Sequence, residues 1–381
     1  MEEIKDLKKA AGIILKAVKA KKRFIVYADS DLDGTTSAVI MKEALKSLGA
    51  NVSAVYFPDR EKDGYGINKT GLKFLKKYAP AFLISVDLGI SNYKEIEEAK
   101  KLGFKVIVLD HHEALGKIPL AEAVVDPKQK DDKYPFKGLS AAGVVFRLSE
   151  NIFEGRMSDY LKKSFLELVA LSTIADMVPR ESENLMFIED GLASLKDTLR
   201  PGLKAFFKGP YLEEFYDFPL KVNKMIGILN VRDVKGGEPG SFRLLTCPSV
   251  EEAKVLIEDF MAKNQARRER IEKIVYEVGQ KIRSTDPLIF VGGEDFDAEI
   301  NSSIASILSQ KHEKPAFIFK KMEKESQGTV RVPHEVNSLE LLEKCSKLLI
   351  TYGGHVKASG FRLKNSNLEK FKECLFKALK K

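Results

Sequence analysis

The chain has 381 residues, enough for two or three domains. Its hydrophobic content of 44% is that of a globular protein, and no run is long and apolar enough to span a bilayer. The start, Met1-Glu-Glu-Ile-Lys-Asp, lacks the apolar stretch of a signal peptide, so a cytoplasmic location is expected. The 63 basic and 55 acidic residues leave a net charge of +8, which suits a polyanionic partner. Cys247, Cys345 and Cys374 are odd in number and widely spaced, so buried free thiols are expected and thiolate-bound zinc is not.

In chain order, residues 1–22 carry an apolar stripe at helical spacing, with Ile4, Leu7, Ala11 and Ile14 near one face. Residues 23–28 are a short β-rich run that stops at an acidic loop, and Thr35–Leu48 returns to helical period. Strands are predicted at Asn51–Phe57, Ala81–Val86 and Lys105–Leu109, with a helix at Lys94–Leu102. Strand and helix alternate, which predicts a doubly wound parallel sheet. Residues 139–206 are mostly helical, 208–248 are rich in loop signals, and a long helix is predicted from Val250 to Ile282. From Asp286 a second α/β pattern begins: strands at 287–293, 315–319 and 328–333, helices at 300–310, 339–349 and 368–380, and a Gly-Gly-His loop at 352–355. The predicted architecture is α/β, with a parallel-sheet domain over 1–205 and a smaller α/β domain over 285–381. The segment 206–284, which includes the long helix, joins them.

Three predicted strands end in carboxylates: Asp29, Asp31 and Asp33 after the first, then Asp87, then Asp110 with His111 and His112. Ligands of open α/β sheets bind beyond the carboxyl ends of the strands, so these acids should converge on one edge. Three carboxylates within five residues repel one another unless cations neutralise them. A calcium loop also alternates Asp, but it needs a later Glu and a preceding helix, and here a strand precedes. Asp176 is a further acid in an apolar setting. Oxygen ligands with one imidazole suit manganese or magnesium, and two ions ~3.5–4 Å apart suit in-line attack at phosphorus.

With these residues placed, the chain resembles the DHH phosphoesterase superfamily, and within it the RecJ-like single-strand exonucleases. The resemblance is carried by DSDLDG at 29–34, SVDLGIS at 85–91, LDHHE at 109–113, VVDPKQ at 124–129 and YPFKGLSAAGVVF at 134–146. It continues through TIADMVP at 173–179, SENL at 182–185, GTVR at 328–331 and YGGH at 352–355. It implies two divalent ions, manganese in preference to magnesium. Asp29, Asp31 and Asp87 would serve the first ion, and Asp33, Asp87, His111 and Asp176 the second. It further implies that His112 touches the scissile phosphate or aids the leaving group, and that Asp110 orients the histidines. Arg331, Gly353, Gly354 and His355 would hold substrate phosphates. The implied partner is single-stranded DNA or RNA, or a short oligonucleotide, with no membrane. The chain departs from many relatives at Tyr27, where they carry a histidine.

Other candidates have plainer explanations. His312 and His334 suit solvated loop or helix-end positions. Arg267, Arg268 and Arg270 alternate with acids, as on a salt-bridged helix face. Tyr65, between Gly64 and Gly66, is the better candidate for stacking on a base. Asp126 suits a turn before Pro127. Two rival functions remain on the sequence alone: a hydrolase of very short oligonucleotides or cyclic dinucleotides, and a non-catalytic replication scaffold, whose carboxylates would be expected to have eroded.

Overall fold

A computed structural model describes residues 2–60, 64–114, 116–283 and 285–379. The chain divides into two compact units, Met1–Met261 and Ala262–Lys381, so the segment expected to connect two domains is shared between them.

The first unit is built on α1 (Leu7–Lys19), β1 (Arg23–Ala28), α2 (Leu32–Ser47), β2 (Asn51–Tyr56), α3 (Lys69–Leu75), β3 (Ala81–Val86), α4 (Tyr93–Lys101), β4 (Phe104–Leu109) and β5 (Ala123–Val125). The strands form an all-parallel sheet in the order β2-β1-β3-β4-β5. Successive side chains of a strand face opposite ways, and both faces here are covered. Phe24, Val26 and Ala28 point into one core with α1 and α2, whereas Ile25 and Tyr27 point into another with Leu72, Leu75 and Ile96 of α3 and α4. Hence the near-continuous apolar runs in the sequence.

The helices α5 (Ala141–Phe153), α6 (Asp159–Ala175), α7 (Ser182–Leu195) and α8 (Pro201–Phe207) enlarge the first core. The segment 208–248 is more ordered than its loop signals suggest. It holds α9 (Phe218–Leu229), a small hairpin of β6 (Val234–Lys235) and β7 (Glu238–Pro239), and α10 (Gly240–Leu245). Met225, Leu229, Phe242 and Leu245 are buried in the same core. Gly236 and Gly237 both have positive φ and form the hairpin turn. α10 is too short to show a period, and α9 carries Pro219 and Gly227 within a segment of turn signals, so both read as loop.

The helix α11 (Val250–Gly279) contributes Ile257 and Phe260 to that core and Ile271, Val275 and Val278 to the second unit. The second unit also contains β8 (Ile289–Gly293), α12 (Ala298–His312), β9 (Ala316–Lys321), β10 (Glu325–Arg331), α13 (Ser338–Lys344), β11 (Thr351–His355), β12 (Ala358–Lys364) and α14 (Leu368–Leu379). Lys380, predicted in the last helix, lies outside the described residues. The sheet order is β11-β12-β10-β9-β8, antiparallel apart from the β8–β9 pair. The Gly-Gly-His segment is therefore an edge strand and not a loop. Two glycines hide a strand from a propensity reading.

The cysteine expectation needs correction. Cys345 and Cys374 form a disulfide between the end of α13 and α14, with Cα atoms 6.0 Å apart, while Cys247 is the buried free thiol. Spacing cannot reveal the bridge, because 29 residues of strand and helix separate partners that meet only in the fold.

Candidate metal centre

The strands of the first sheet are in register at their carboxyl ends: Ala28 pairs with Val86, Val86 with Leu109, and Leu109 with Val125. The next residue in each strand is an acid, so Asp29, Asp87, Asp110 and Asp126 form a row along one edge, all buried. The ladder runs one hydrogen bond past the strands. The Asp87 amide donates to the Leu109 carbonyl at 2.9 Å and the Asp110 amide to Val125 at 3.0 Å. Asp87 has φ +62°, the left-handed region that Asp tolerates better than most residues and that recurs at functional sites.

Asp31 and Asp33 are set by α2, which begins three residues before its predicted start. Asp31 is the N-cap, its Oδ1 accepting from the Gly34 amide at 3.0 Å. Gly34 is required there: a Cβ would lie 2.4 Å from the Asp29 carbonyl oxygen. Asp33 sits on the amino end of α5, accepting from the amides of Ala141 (2.8 Å) and Ala142 (2.9 Å) and from the Ser172 hydroxyl (2.5 Å). Asp176 ends α6 on the rim of the site.

The two histidines are oriented separately. His111 Nδ1 is 3.0 Å from the Leu139 carbonyl. A carbonyl can only accept, so Nδ1 carries a proton and Nε2 is left to face the carboxylates. Nε2 faces Asp87 Oδ1 at 3.3 Å, Asp33 Oδ2 at 3.6 Å and Asp176 Oδ2 at 3.8 Å. Both Nε2 and Asp87 Oδ1 are buried and make no hydrogen bond among the described residues. An imidazole nitrogen and three carboxylates converge here with buried atoms that no hydrogen bond among the described residues satisfies, and such a donor set fits a metal ion. The His112 ring donates from Nδ1 to Asp110 Oδ1 at 2.8 Å, and Asp110 also accepts from the amides of His111, His112 and Ile90. Asp110 thus orients the ring of His112, while the ring of His111 takes its orientation from Leu139.

A second group is formed by Asp29, Asp31 and Asp87, and Asp87 also lies against His111, so one carboxylate belongs to both clusters. Here the neutralising charge is Arg60. Its Nε lies 2.6 Å from Asp29 Oδ1, and its Nη2 lies 2.9 Å from Asp31 Oδ2 and also contacts Asp29. Sequence reasoning missed Arg60, which lies 29 residues after Asp31 with no spacing that marks it. Tyr65 closes the same side, its hydroxyl 3.3 Å from the Asp87 carbonyl and 3.4 Å from the His112 ring nitrogens. Tyr27, in the place of the family's histidine, stays out of the centre: it is buried in the other core, with its hydroxyl near Gly66 and Asn68.

The electrostatics follow from this crowding. Burial, reinforced by the charges of Asp33 and Asp31, pushes Asp87 well above the carboxylate range. Burial also raises Asp29 against the pull of Arg60. For Asp31 the loss of solvent is outweighed by the Arg60 charge and the Gly34 amide, so it falls. Burial and the Asp33 charge push Asp176 up to about 6. For Asp110 burial is outweighed by the bond from His112, which lowers it. In His112 burial is outweighed by the same bond, which raises it.

In the second unit, Arg331 ends β10 half-buried. Its Nη1 donates to Thr329 Oγ1 (2.8 Å) and to the Val330 carbonyl (2.9 Å), and burial lowers its pKa. It lines a cavity of about 810 Å³ together with His334, Lys357 and Gln310. Gly353, Gly354 and His355 lie on the exposed edge strand β11. Gly354 has φ +138°, and a Cβ there would meet the Ala358 carbonyl at 2.4 Å. The pair leaves an edge of bare backbone polar groups.

Residues 23–173 match the N-terminal domain of the DHH family, and residues 273–381 match the DHHA1 domain. The chain belongs to the DHH family. Within that family it is a RecJ-like member. It is 33% identical over 374 residues to the single-stranded-DNA-specific exonuclease RecJ of Bacillus subtilis, covering 95% of this chain and 46% of that protein. To RecJ of Escherichia coli it is 28% identical over 400 residues, covering 98% and 69%. The chain thus spans about half the length of the first of these relatives. The solved structure of exonuclease RecJ bound to manganese superposes with a TM-score of 0.84 at 26% identity, covering all of this chain and 95% of that one. RecJ of Thermus thermophilus in complex with Mn2+ gives 0.82 at 25% identity, covering 99% and 55%.

Proposed function

We propose that this protein is a metal-dependent exonuclease that hydrolyses phosphodiester bonds of single-stranded DNA. The observation that carries the reading is the buried His111 Nε2, without a hydrogen bond among the described residues, facing the carboxylates of Asp87, Asp33 and Asp176. It is supported by the names of the relatives, which are single-stranded-DNA-specific exonucleases, and by the manganese held in the matching solved structures. Asp33, Asp87, His111 and Asp176 would hold one divalent ion, and Asp29, Asp31 and Asp87 the other. When bound, such a pair supplies positive charge at the scissile phosphate and acidifies water at neutral pH.

The chain's own residues do the rest. The Leu139 carbonyl holds the His111 ring by Nδ1, so that Nε2 faces the carboxylates. Asp110 holds His112 with Nδ1 protonated and raises the pKa of the ring, which keeps a proton on Nε2 for the leaving oxygen. With cations at Asp29 and Asp31, Arg60 would be available as a guanidinium for a phosphate beside them. In the second unit Arg331 and the bare backbone of Gly353, Gly354 and His355 would hold phosphates of the strand.

Replacing Asp87 by Asn separates the chemistry from the fold. Manganese-dependent release of nucleotides from an end-labelled strand should fall by more than roughly a hundredfold, beyond the effect of losing an outer-sphere partner of a metal ligand. The metal-free melting temperature should hold or rise, because a buried charge is removed. Unchanged nuclease activity would sink the reading. Matched DNA and RNA strands of several lengths in the same assay decide substrate preference.

A further inference from the structure

The parallel sheet of the first unit is polarised. Its carboxyl edge gathers the acids described above. Its opposite edge, where the chain enters the strands, gathers lysines. The segments 16–23 (KAVKAKKR), 46–50 (KSLGA), 73–80 (KFLKKYAP) and 100–105 (KKLGFK) lead into β1, β2, β3 and β4. Together they contain twelve Lys or Arg and no Asp or Glu. β5, at the end of the sheet, is entered through Glu122. Eleven of the twelve are exposed, Arg23 being half-buried, and none forms an ion pair among the described residues. Arg23 reaches only the Ala79 carbonyl and Lys100 the Leu120 carbonyl, while Lys77 and Lys105 lie over the rings of Phe74 and Phe82.

Lysines are favoured at helix carboxyl ends, and α1 to α4 end on this edge. Each helix terminus carries about half a negative charge, so four of them offset about two cations. About ten positive charges are left over, across four strands spaced ~4.8 Å apart. Such a field costs stability through self-repulsion unless a polyanion shares it. The rings point to which polyanion. Phe74 is 52% exposed beside Lys73 and Lys77, its ring 5.7 Å from that of Tyr56, a cation-and-ring pairing that suits stacked bases between phosphates.

We propose that the amino-terminal edge of this sheet is a second nucleic-acid-binding surface, distinct from the catalytic edge, that grips a strand's phosphates with lysines and stacks a base on Phe74. The proposal takes only the identity of the polyanion from the nuclease reading. Binding is therefore measured in EDTA, where no hydrolysis occurs, by fluorescence anisotropy of a long labelled single strand across a salt series. In a variant carrying Lys22→Glu, Lys77→Glu, Lys101→Glu and Lys105→Glu, the slope of log affinity against log salt should become shallower by about 3, at ~0.7 per phosphate contact. Phe74→Ala should weaken binding about tenfold with the slope kept. Manganese-dependent turnover of a dinucleotide, which needs only the catalytic edge, should match the parent. If that turnover is lost through misfolding, the four Lys→Gln replacements carry the same slope readout. A slope equal to the parent's overturns the proposal, as does an unchanged slope with lost binding of polyglutamate, which would mark a surface for acidic proteins. Absence of manganese-dependent nucleotide release from an end-labelled strand by the parent would count against the nuclease reading and leave the binding result standing.

Discussion

Asp126 is the residue of the acidic row whose charge is least compensated, with Lys128 and His112 offsetting only part of the cost of burial. It is buried beside Asp110, its Oδ1 accepts the Lys128 amide at 2.8 Å, and its Oδ2 makes no hydrogen bond among the described residues. Burial and the Asp110 charge push its pKa from 3.8 up to about 7. The folded state therefore holds a proton that the unfolded state has released between those values, and stability falls as pH rises from about 4 to about 7. Above pH 7 the cost is on the order of 4 kcal/mol. Asp126→Asn should remove it: in EDTA, thermal melts should show a higher melting temperature than the parent at pH 8, the two converging near pH 4. Equal melting temperatures at pH 8 would mean that water reaches the carboxylate. At this scale the acids and histidines were legible, since each follows an apolar run. Their partners were not. The Leu139 carbonyl, the amides of Ala141 and Ala142, and Arg60 act through backbone or distant positions that leave no mark in residue type.

The element that most constrains the centre is the first turn of α2. It is seated so close under the end of β1 that only Gly fits at position 34. Gly34→Ala should lower the urea unfolding midpoint in EDTA by the equivalent of about 2–3 kcal/mol and weaken manganese binding with it. Gly12→Ala, in α1 with no atom within 4 Å of the new Cβ, should instead gain about 1 kcal/mol. If both replacements behave alike, the close approach at Gly34 is not what positions Asp31 and Asp33. Strands with unbroken apolar runs and most helices of nine residues or more were readable from period alone. The short β5 and α10, the glycine-rich β11, and α9 with its Pro219 and Gly227 were not, because their identity comes from the sheet or core they join.

For the molecule as a whole, two units with separate cores should not unfold as one. All six candidate metal ligands lie in the first unit, so calorimetry with manganese should move one transition upward and leave the other in place. A common shift of both would show that the units unfold together. The α/β class and the two-part architecture were visible in the sequence, as was the basic surplus. The uneven distribution of that surplus was not, since it needs the topology that brings four separated segments to one edge. The register of the sheet has one more consequence, in the currency of insertions and deletions. The four acids line up because each strand delivers its acid one residue past a shared line. A residue added inside β1, β3 or β4 would carry its acid about 3.3 Å along the edge and turn it to the opposite face. Length changes in this part of the chain should therefore be confined to the loops beyond the acids, where the count of residues is free to drift while the frame of the strands is not.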